Sequence, residues 1–257
     1  MCMLQEGSFA LQKHVKPQRL NRILSLAGLT SRRKADEWIK AGRVRVNNTL
    51  VTQAGSRAVW GRDTITVDGN KIPCPFDRIY LMLNKPFGYI SSLSDPASRP
   101  VVTDLVRDIP QRLFPVGRLD FDSMGLLLLT NDGDLCYRLT HPRYRVPKTY
   151  KVIVAGRITP DAVNRLQKGV LLEDGPSGRS KVAVVVANEK QSVLRMTIYQ
   201  GRTRQVRRML EAVGYRVVHL IRIGFGTLEL GNLKVREYRH LETEEIRSLM
   251  AQTEKRQ

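Results

Sequence analysis

The sequence predicts an α+β protein with a small N-terminal module and a larger domain built on a mixed, mostly antiparallel sheet flanked by helices. The chain of 257 residues is long enough for two domains with substantial cores. Strand-like segments dominate residues 78–250, and the helical segments among them do not alternate regularly with strands as they do in parallel sheets. Residues 71–77 contain two prolines and no helical period, which predicts a linker after a first domain at residues 17–70.

The first domain is predicted to contain two short helices followed by a few strands. Apolar residues recur at the spacing of one helix face over residues 20–27, and Ser31 is a favourable N-cap for a second helix. Gly42 lies just after the predicted end of that helix. Residues 43–46 alternate between arginine and valine, and residues 64–67 are rich in β-branched side chains, so both segments are predicted strands.

A cationic cluster lies at the start of the second predicted helix. Arg32, Arg33 and Lys34 occupy its first turn, where the helix dipole disfavours each cation by about a few tenths of a kcal/mol. Helix stability therefore gives no reason for the cluster, and together with Arg43 it would suit contacts with phosphate groups. The alternative interpretation is a charged helix face exposed to solvent.

The second domain is predicted from a series of apolar and alternating segments in chain order. Thr159 followed by Pro160 predicts the start of one helix, and the apolar spacing after Gly201 predicts another that ends at Gly214. Predicted strands lie at 79–83, 126–129, 148–154, 181–187, 193–199, 217–223 and 227–230, and a last helix begins near residue 243.

Charged residues precede the buried strand at 126–129, at a point where a core strand does not need them. Gly117 allows a tight turn, and Arg118, Asp120 and Asp122 follow it at intervals of two. Such a loop, held by a rigid strand, is a typical place for catalytic side chains. A turn in which Asp120 caps the backbone and pairs with Arg118 is the other interpretation of this stretch.

Three further candidates have structural alternatives of their own. Lys85 lies in a predicted loop, where it is either a phosphate contact or a solvated charge. Tyr150 lies on a predicted strand and could simply pack there. The helix after Gly201 begins with Arg202, Arg204, Arg207 and Arg208, which form either a nucleic-acid face or, for the inward-placed Arg207, a partner for a buried carboxylate.

The overall charge points to a polyanionic partner, of which nucleic acid is the commonest. There are 43 Lys and Arg against 24 Asp and Glu, a net charge of +19 that is spread over both predicted domains. The three cysteines and four histidines have no metal-ligand spacing, so no metal site is predicted. No apolar run approaches the ~18 residues of a membrane span, and the first 16 residues lack a secretory signal, which favours the cytoplasm.

Two sets of motifs give the chain a family resemblance. Residues 19–24, 28–35 and 39–47 resemble the alpha-L RNA-binding module of a small-subunit ribosomal protein. The motifs at 117–134, 148–150, 169–175 and 201–209, in this order behind that module, resemble the bacterial ribosomal pseudouridine synthases of the RsuA and RluB type. The resemblance extends from about Gln18 to about Leu249 and implies a pseudouridine synthase fold in the second domain.

This resemblance implies isomerisation of a uridine in ribosomal RNA, with Asp120 as the nucleophile, Tyr150 stacked on the target base and Arg207 paired with Asp120. The reaction is redox-neutral and consumes no water overall, so it implies no cofactor. The implied partner is ribosomal RNA or a pre-ribosomal particle, and the enzyme is expected to be a monomer in the cytoplasm. The implied RNA contacts are cations of both domains: Arg19, Arg32, Arg33, Lys34, Arg43, Lys85, Arg118, Arg202, Arg204 and Arg208.

Two other functions remain compatible with parts of the sequence. A non-catalytic factor for ribosome assembly would use both basic domains to bind ribosomal RNA without any chemistry. An RNA hydrolase would use Asp120 and Asp122 as a carboxylate pair for Mg²⁺, although no further acidic cluster supports a metal there.

Overall fold

The computed structural model describes residues 16–73 and 77–254. The chain forms two compact units, with the division between Asp77 and Arg78. Predictions that concern residues 1–15 and 74–76, including the leader segment, Cys2, His14, Cys74 and Pro75, lie outside the described residues. None of the described helices combines the length and the apolar character that crossing a membrane requires.

The first unit contains the two predicted helices and a small antiparallel sheet. In chain order the elements are β1 (Gln18–Arg19), α1 (Leu20–Leu26), α2 (Arg32–Lys40), β2 (Val44–Val46), β3 (Thr49–Val51), β4 (Arg57–Ala58), β5 (Ile65–Val67) and β6 (Asn70–Lys71). Strand β2 is central and pairs with β3 and β5, β5 also pairs with β6, and β1 pairs separately with β4.

The local signals of the first unit are confirmed. The apolar face predicted over residues 20–27 is buried together with Ala35 and Ile39 of α2. The Ser31 hydroxyl accepts a hydrogen bond from the backbone N–H of Lys34 at 3.2 Å, as an N-cap does. The predicted linker, however, begins inside this unit, because Lys71 belongs to β6, Ile72 is buried in its core, and the Trp60 indole donates to the Pro73 carbonyl at 3.0 Å.

The second unit is an α+β domain, as predicted. Its described elements are β7 (Tyr80–Lys85), a 3₁₀ helix (Val102–Val106), β8 (Phe114–Pro115), β9 (Met124–Thr130), α3 (Gly133–Thr140), a 3₁₀ helix (Pro142–Tyr144), β10 (Lys148–Ala155), α4 (Pro160–Lys168), β11 (Leu171–Leu172), β12 (Gly175–Pro176), β13 (Lys181–Ala187), β14 (Gln191–Ile198), α5 (Gln205–Glu211), β15 (Val217–Phe225), β16 (Leu228–Glu229), β17 (Tyr238–His240) and α6 (Thr243–Glu254).

One large sheet organises this unit. Its strand order is β13-β14-β10-β15-β9-β7-β17, with β8 added beside β9 and β16 beside β15. Every pair is antiparallel except β15 with β9, so the prediction of a mixed, mostly antiparallel sheet is confirmed. The parallel pair lies near the middle of the sheet and brings the end of the Asp120 loop beside β15.

Helices cover both faces of the sheet. On one face α4 and α5 contribute Leu166, Met209 and Leu210 to a core that also contains Tyr150. On the other face α3 and α6 pack through Leu139 and Leu249, among others, against apolar strand residues. The apolar spacing that predicts a helix after Gly201 is therefore the buried face of α5.

Helix α3 has no counterpart among the elements predicted from the sequence. Asp132 is in fact the N-cap of α3, and its carboxylate accepts hydrogen bonds from the N–H groups of Asp134 and Leu135 at 3.1 and 3.2 Å. Leu135 and Leu139, four residues apart, form the buried face of this helix. Those two leucines after an aspartate were the available signal.

Candidate active site

Asp120 lies in the loop between β8 and β9, and the backbone of this loop is fixed from several sides. The Ser91 hydroxyl donates to the Leu119 carbonyl at 2.8 Å and accepts from the Leu119 N–H at 3.0 Å. The Ser123 N–H donates to the Asp120 carbonyl at 3.0 Å, which closes a turn. The Asp120 side chain itself is half-buried. These hydrogen bonds thus hold the loop that carries the Asp120 carboxylate, just before the core strand β9.

Lys85 also holds the backbone of this loop in place. It is the last residue of β7 and is fully buried, with 0% of its surface exposed. Its ammonium donates to the carbonyls of Pro86, Asp120 and Ser123 at 3.1, 3.1 and 2.6 Å. The interpretation of Lys85 as a solvated loop charge is therefore wrong, and a buried ammonium whose three donors are used does not bind a phosphate group at the surface.

Tyr150 and Arg222 lie opposite each other on the adjacent strands β10 and β15, and Arg222 is in turn paired with Gly125 of β9. Arg222 is 2% exposed, and its Nε donates to the Leu126 carbonyl at 2.7 Å. Gly125 has a φ of +101°, and a Cβ there would stand 2.3 Å from the Arg222 carbonyl oxygen. Only glycine permits this close approach of β9 to β15, which brings Arg222 next to the Asp120 loop.

Asp120 and Tyr150 line the same cleft, which encloses about 200 Å³. The predicted Arg118, Arg202 and Arg204 line it as well, so the structure brings together five of the candidate residues of the second domain. The remainder of the lining is Gly117, Leu119, Ser123, Thr140, Lys148, Ile198, Gly201, Thr203, Gln205, Val206, Leu220, Arg222 and Phe225.

Arg207 does not pair with Asp120, which corrects the prediction. Its guanidinium donates to the backbone carbonyl of Asp122 at 3.0 Å and lies 3.2 Å from the Asp122 carboxylate. Arg204 also lies 3.2 Å from that carboxylate. Asp122 is therefore held between two arginines, and the inward-facing Arg207 supports the Asp120 loop from the side of α5. Asp122, one of the two carboxylates of the hydrolase hypothesis, is thus paired with arginines.

Two of the remaining arginines have structural partners instead of free guanidinium groups. Arg208 forms two hydrogen bonds with the Asp174 carboxylate, at 2.9 and 3.0 Å. Arg202 donates to the carbonyls of Asp174, Gly175 and Pro176, and so holds the β11–β12 hairpin beside the cleft. Arg118, in contrast, is exposed at the cleft.

The buried Lys85 and Arg222 and the half-buried Lys148 lie at or beside the cleft, and sequence reasoning missed the last two. Burial lowers the pKa of Lys85 to about 8, against the opposing effect of the Asp120 and Asp122 carboxylates. Burial, with a smaller effect of Arg222, also lowers the pKa of Lys148 to about 8. Burial lowers the pKa of Arg222 as well, while the Tyr150 hydroxyl opposes this. Lysine and arginine inside strand patterns were the signal that could have identified Lys148 and Arg222.

The predicted RNA-binding residues of the first unit are mostly at its surface. Arg19, Arg32, Arg33 and Lys34 are exposed, and Lys34 forms an ion pair with Glu37 at 2.9 Å. Arg43 is held locally, since it pairs with Asp68 and its guanidinium lies 4.5 Å from the centre of the Trp38 ring. Across residues 16–73 and 77–254, no group of three or more His, Cys, Asp or Glu side chains is placed to hold a metal ion.

Comparison with known proteins assigns a family to each unit. A family model described as RNA pseudouridylate synthase matches residues 79–212, and a model described as S4 domain matches residues 18–58. The chain is 42% identical over 236 residues to the ribosomal large subunit pseudouridine synthase B of Bacillus subtilis, covering 91% of this chain and 96% of that protein. It is 40% identical over 232 residues to an uncharacterized RNA pseudouridine synthase of Aquifex aeolicus, covering 90% and 93%.

A solved structure gives the same result. The fold is similar to that of a pseudouridylate synthase known from its crystal structure, with a TM-score of 0.64 and 31% sequence identity. The similarity covers 90% of this chain and 99% of the other chain. Both units of the fold are therefore present, in the same order, in a protein of this kind.

Proposed function

Because the chain belongs to the RNA pseudouridylate synthase family, we propose that it isomerises a specific uridine of ribosomal RNA to pseudouridine, with Asp120 as the nucleophile. The observation that carries the proposal is the cleft, in which Asp120 and Tyr150 line the same small volume together with Arg118, Arg202 and Arg204. The volume of about 200 Å³ suits a single base taken out of its stack.

The proposed reaction exchanges one bond for another within a single nucleotide. The bond between ribose C1′ and base N1 breaks, the base turns, and a bond between C1′ and C5 forms while the C5 proton is lost and N1 gains a proton. Covalent attack by the Asp120 carboxylate holds one fragment in the site during the turn. The covalent bond forms with the ribose or with the base, and both routes conserve atoms.

Three residues have distinct proposed roles. Tyr150 offers its ring as a stacking surface for the extruded base, which offsets part of the unstacking cost of about a few kcal/mol. Arg207 acts on Asp120 indirectly, by holding Asp122 and thereby the turn that carries the nucleophile. Lys85 holds the same turn through its carbonyl groups and is a positioning residue, not a contact to RNA.

The first unit is the proposed RNA-gripping module. An S4 domain at its residues 18–58, with Arg32 and Arg33 exposed in the first turn of α2, supports a contact with the phosphate backbone of structured RNA. We extend this module to residues 17–73, because Ile72 lies in its core and the Pro73 carbonyl accepts a hydrogen bond from Trp60, and we place the catalytic domain at residues 78–250. We further propose that the protein acts in the cytoplasm as a monomer, and that its substrate is ribosomal RNA or a pre-ribosomal particle.

The test is tritium release from ribosomal RNA labelled at uridine C5. Small-subunit and large-subunit RNA are assayed separately, with EDTA present, for the parent protein, for Asp120→Asn and for the control Asp161→Asn. Asp161 lies exposed on α4, outside the cleft, so the control makes the same chemical change away from the site. We expect release by the parent and the control, and a loss of about 10³-fold or more for Asp120→Asn.

Each outcome has a definite meaning. Release by the parent from one RNA only identifies the subunit that is modified. Equal release by Asp120→Asn contradicts the role of this carboxylate. Tight RNA binding without release from either RNA or from precursor particles favours a non-catalytic assembly factor, and release that EDTA abolishes favours metal-dependent chemistry.

A further inference from the structure

A second polar groove lies beside the cleft on the catalytic unit. It is lined by Arg145, Arg179 and Lys181, which are exposed, around the half-buried ring of Tyr199. The Arg145 guanidinium lies 5.8 Å from the centre of that ring. Gln167 and Ser180 complete the lining. We call these six residues the Tyr199 groove.

Stability does not account for the cations of this groove. Within residues 16–73 and 77–254, no carboxylate forms an ion pair with Arg145, Arg179 or Lys181. Most arginines of this unit that do form an ion pair lie within 3.4 Å of the partner carboxylate. Arg145 moreover has a φ of +48°, a backbone conformation that costs a non-glycine residue energy. Like charges gathered in one groove repel each other unless an anion lies between them.

The groove is connected to the cleft through one pair of strand residues. Lys148 and Ile198 are register partners on β10 and β14, and both line the cleft. Tyr199 directly follows Ile198, and Gly201 of the cleft lining is two residues further along the chain. Two extended residues span at most about 7 Å, so the backbone of Tyr199 lies next to the residues that line the cleft.

We propose that the Tyr199 groove binds one unpaired nucleotide of the RNA strand next to the target uridine. Its base stacks on Tyr199 and the guanidinium of Arg145, and its flanking phosphates contact Arg179 and Lys181. This combination of an aromatic ring with a positively charged groove is how proteins bind single-stranded nucleic acid. The inference rests on the proposed function, since it needs an RNA strand whose target base enters the cleft.

The chemistry of the reaction explains why an unpaired neighbour would be available. A uridine must leave its stack to enter the cleft, and its neighbour on the same strand then loses a stacking partner. An aromatic ring at that point replaces the lost contact and holds the strand in the opened state. The groove would thereby favour target uridines in loops and bulges over uridines inside a duplex.

The test compares Tyr199→Leu and Lys181→Ala with the parent, with Tyr199→Phe and with the control Lys190→Ala. Lys190 lies in the turn before the other end of β14, so its loss removes one exposed charge far from the groove. Two quantities are measured: the KM and kcat of tritium release from the ribosomal RNA that the parent modifies, and the Kd for a single-stranded oligouridylate. Thermal unfolding followed by circular dichroism establishes that each variant is folded.

We expect Tyr199→Leu to raise KM and the oligouridylate Kd about tenfold, with kcat within about twofold of the parent. Tyr199→Phe keeps the ring and should behave like the parent, and Lys181→Ala should weaken binding mainly at low salt. A Tyr199→Leu variant with the KM and Kd of Lys190→Ala overturns the inference and leaves the proposed function intact. If the parent releases no tritium, the proposed function fails, and the oligouridylate Kd alone decides whether the groove binds RNA.

Discussion

The most informative single residue is Lys85, because its environment reverses what its residue type predicts. Lysine is among the residues that are least often buried, so local sequence favours solvent exposure. In the structure its three N–H groups donate to three carbonyl groups, two of which belong to the Asp120 turn. The free-energy cost of burying an ammonium group is offset only by hydrogen bonds of this kind, and no local sequence pattern identifies their acceptors.

The pH dependence of stability follows from the lowered pKa of Lys85, about 8 against a usual 10.5. Below pH 8 the lysine is protonated in both the folded and the unfolded chain. Between pH 8 and 10.5 the unfolded chain binds more protons than the folded one, so the contribution of Lys85 to the free energy of unfolding rises with pH. We therefore expect the stability difference between the parent and Lys85→Met to shift in favour of the parent across this window.

Urea unfolding of both proteins at pH 7, 8, 9 and 10 measures that difference, in which the effects of other titrating groups largely cancel. A constant difference from pH 7 to 10 would show that the ammonium is not held in the desolvated site described above. Lys148, whose pKa is also about 8, is present in both proteins, so the effect of its titration cancels in the difference.

Arg207 illustrates a different limit of sequence reasoning at this scale. Its position beside the apolar stripe of α5 correctly predicts an inward-facing guanidinium, which is 7% exposed. Asp120 and Asp122 are only two residues apart, however, and the turn closed by the Ser123 N–H decides which of them faces α5. The choice of partner is a property of the folded loop, and the sequence offered no signal for it.

At the scale of elements, the strands and helices were predictable where the side-chain pattern is local. The strand predicted at 181–187 is β13, and the helix predicted to begin at Thr159 and Pro160 is α4, with Thr159 as its N-cap. The parallel pairing of β9 with β15 was not predictable, because register between distant segments depends on the complete sheet. The candidate site depends on that pairing, since it brings Arg222 next to the Asp120 loop.

The parallel pair makes a prediction for glycine substitutions. In Gly125→Ala the new Cβ would stand 2.3 Å from the Arg222 carbonyl oxygen, in addition to the strain of a φ of +101°. Gly156→Ala is the matched control, because it has a φ of +76° but no heavy atom within 4 Å of its Cβ. We expect a loss of about 1 kcal/mol for Gly156→Ala and of about 3 kcal/mol or more for Gly125→Ala. Thermal unfolding measures both, and equal losses would contradict the close approach of β9 and β15.

At the scale of the whole molecule, the net charge of +19 indicates a polyanionic partner but does not indicate the fold. The families matched by the two units confirm the resemblance that the motifs predict, over nearly the whole chain. Charge alone cannot separate an enzyme from a binding factor, since both would bind RNA with a strong dependence on salt. The motifs around Asp120 and Tyr150 are what separated these hypotheses.

The salt dependence of RNA binding still tests which arginines contact phosphate groups. We expect Arg32→Ala combined with Arg33→Ala to reduce the slope of log K against log salt by about 2, because each phosphate contact contributes about 1. The matched control is Arg157→Ala combined with Arg195→Ala, two exposed arginines that are paired with Glu189 and Glu229. Filter binding of ribosomal RNA from low to moderate salt gives both slopes, and equal slopes would place the RNA elsewhere.

The bond between the Arg222 guanidinium and the Leu126 carbonyl joins residues that are 96 positions apart in the chain. During synthesis the segment with Asp120 emerges long before β15, and the central strand pair cannot close until residue 225 has left the ribosome. Closing a loop of this length is a slow step compared with forming the first unit, whose contacts are mostly local. A growing chain thus acquires its RNA-binding module first and its cleft last, so a nascent enzyme would bind RNA before it is able to modify it.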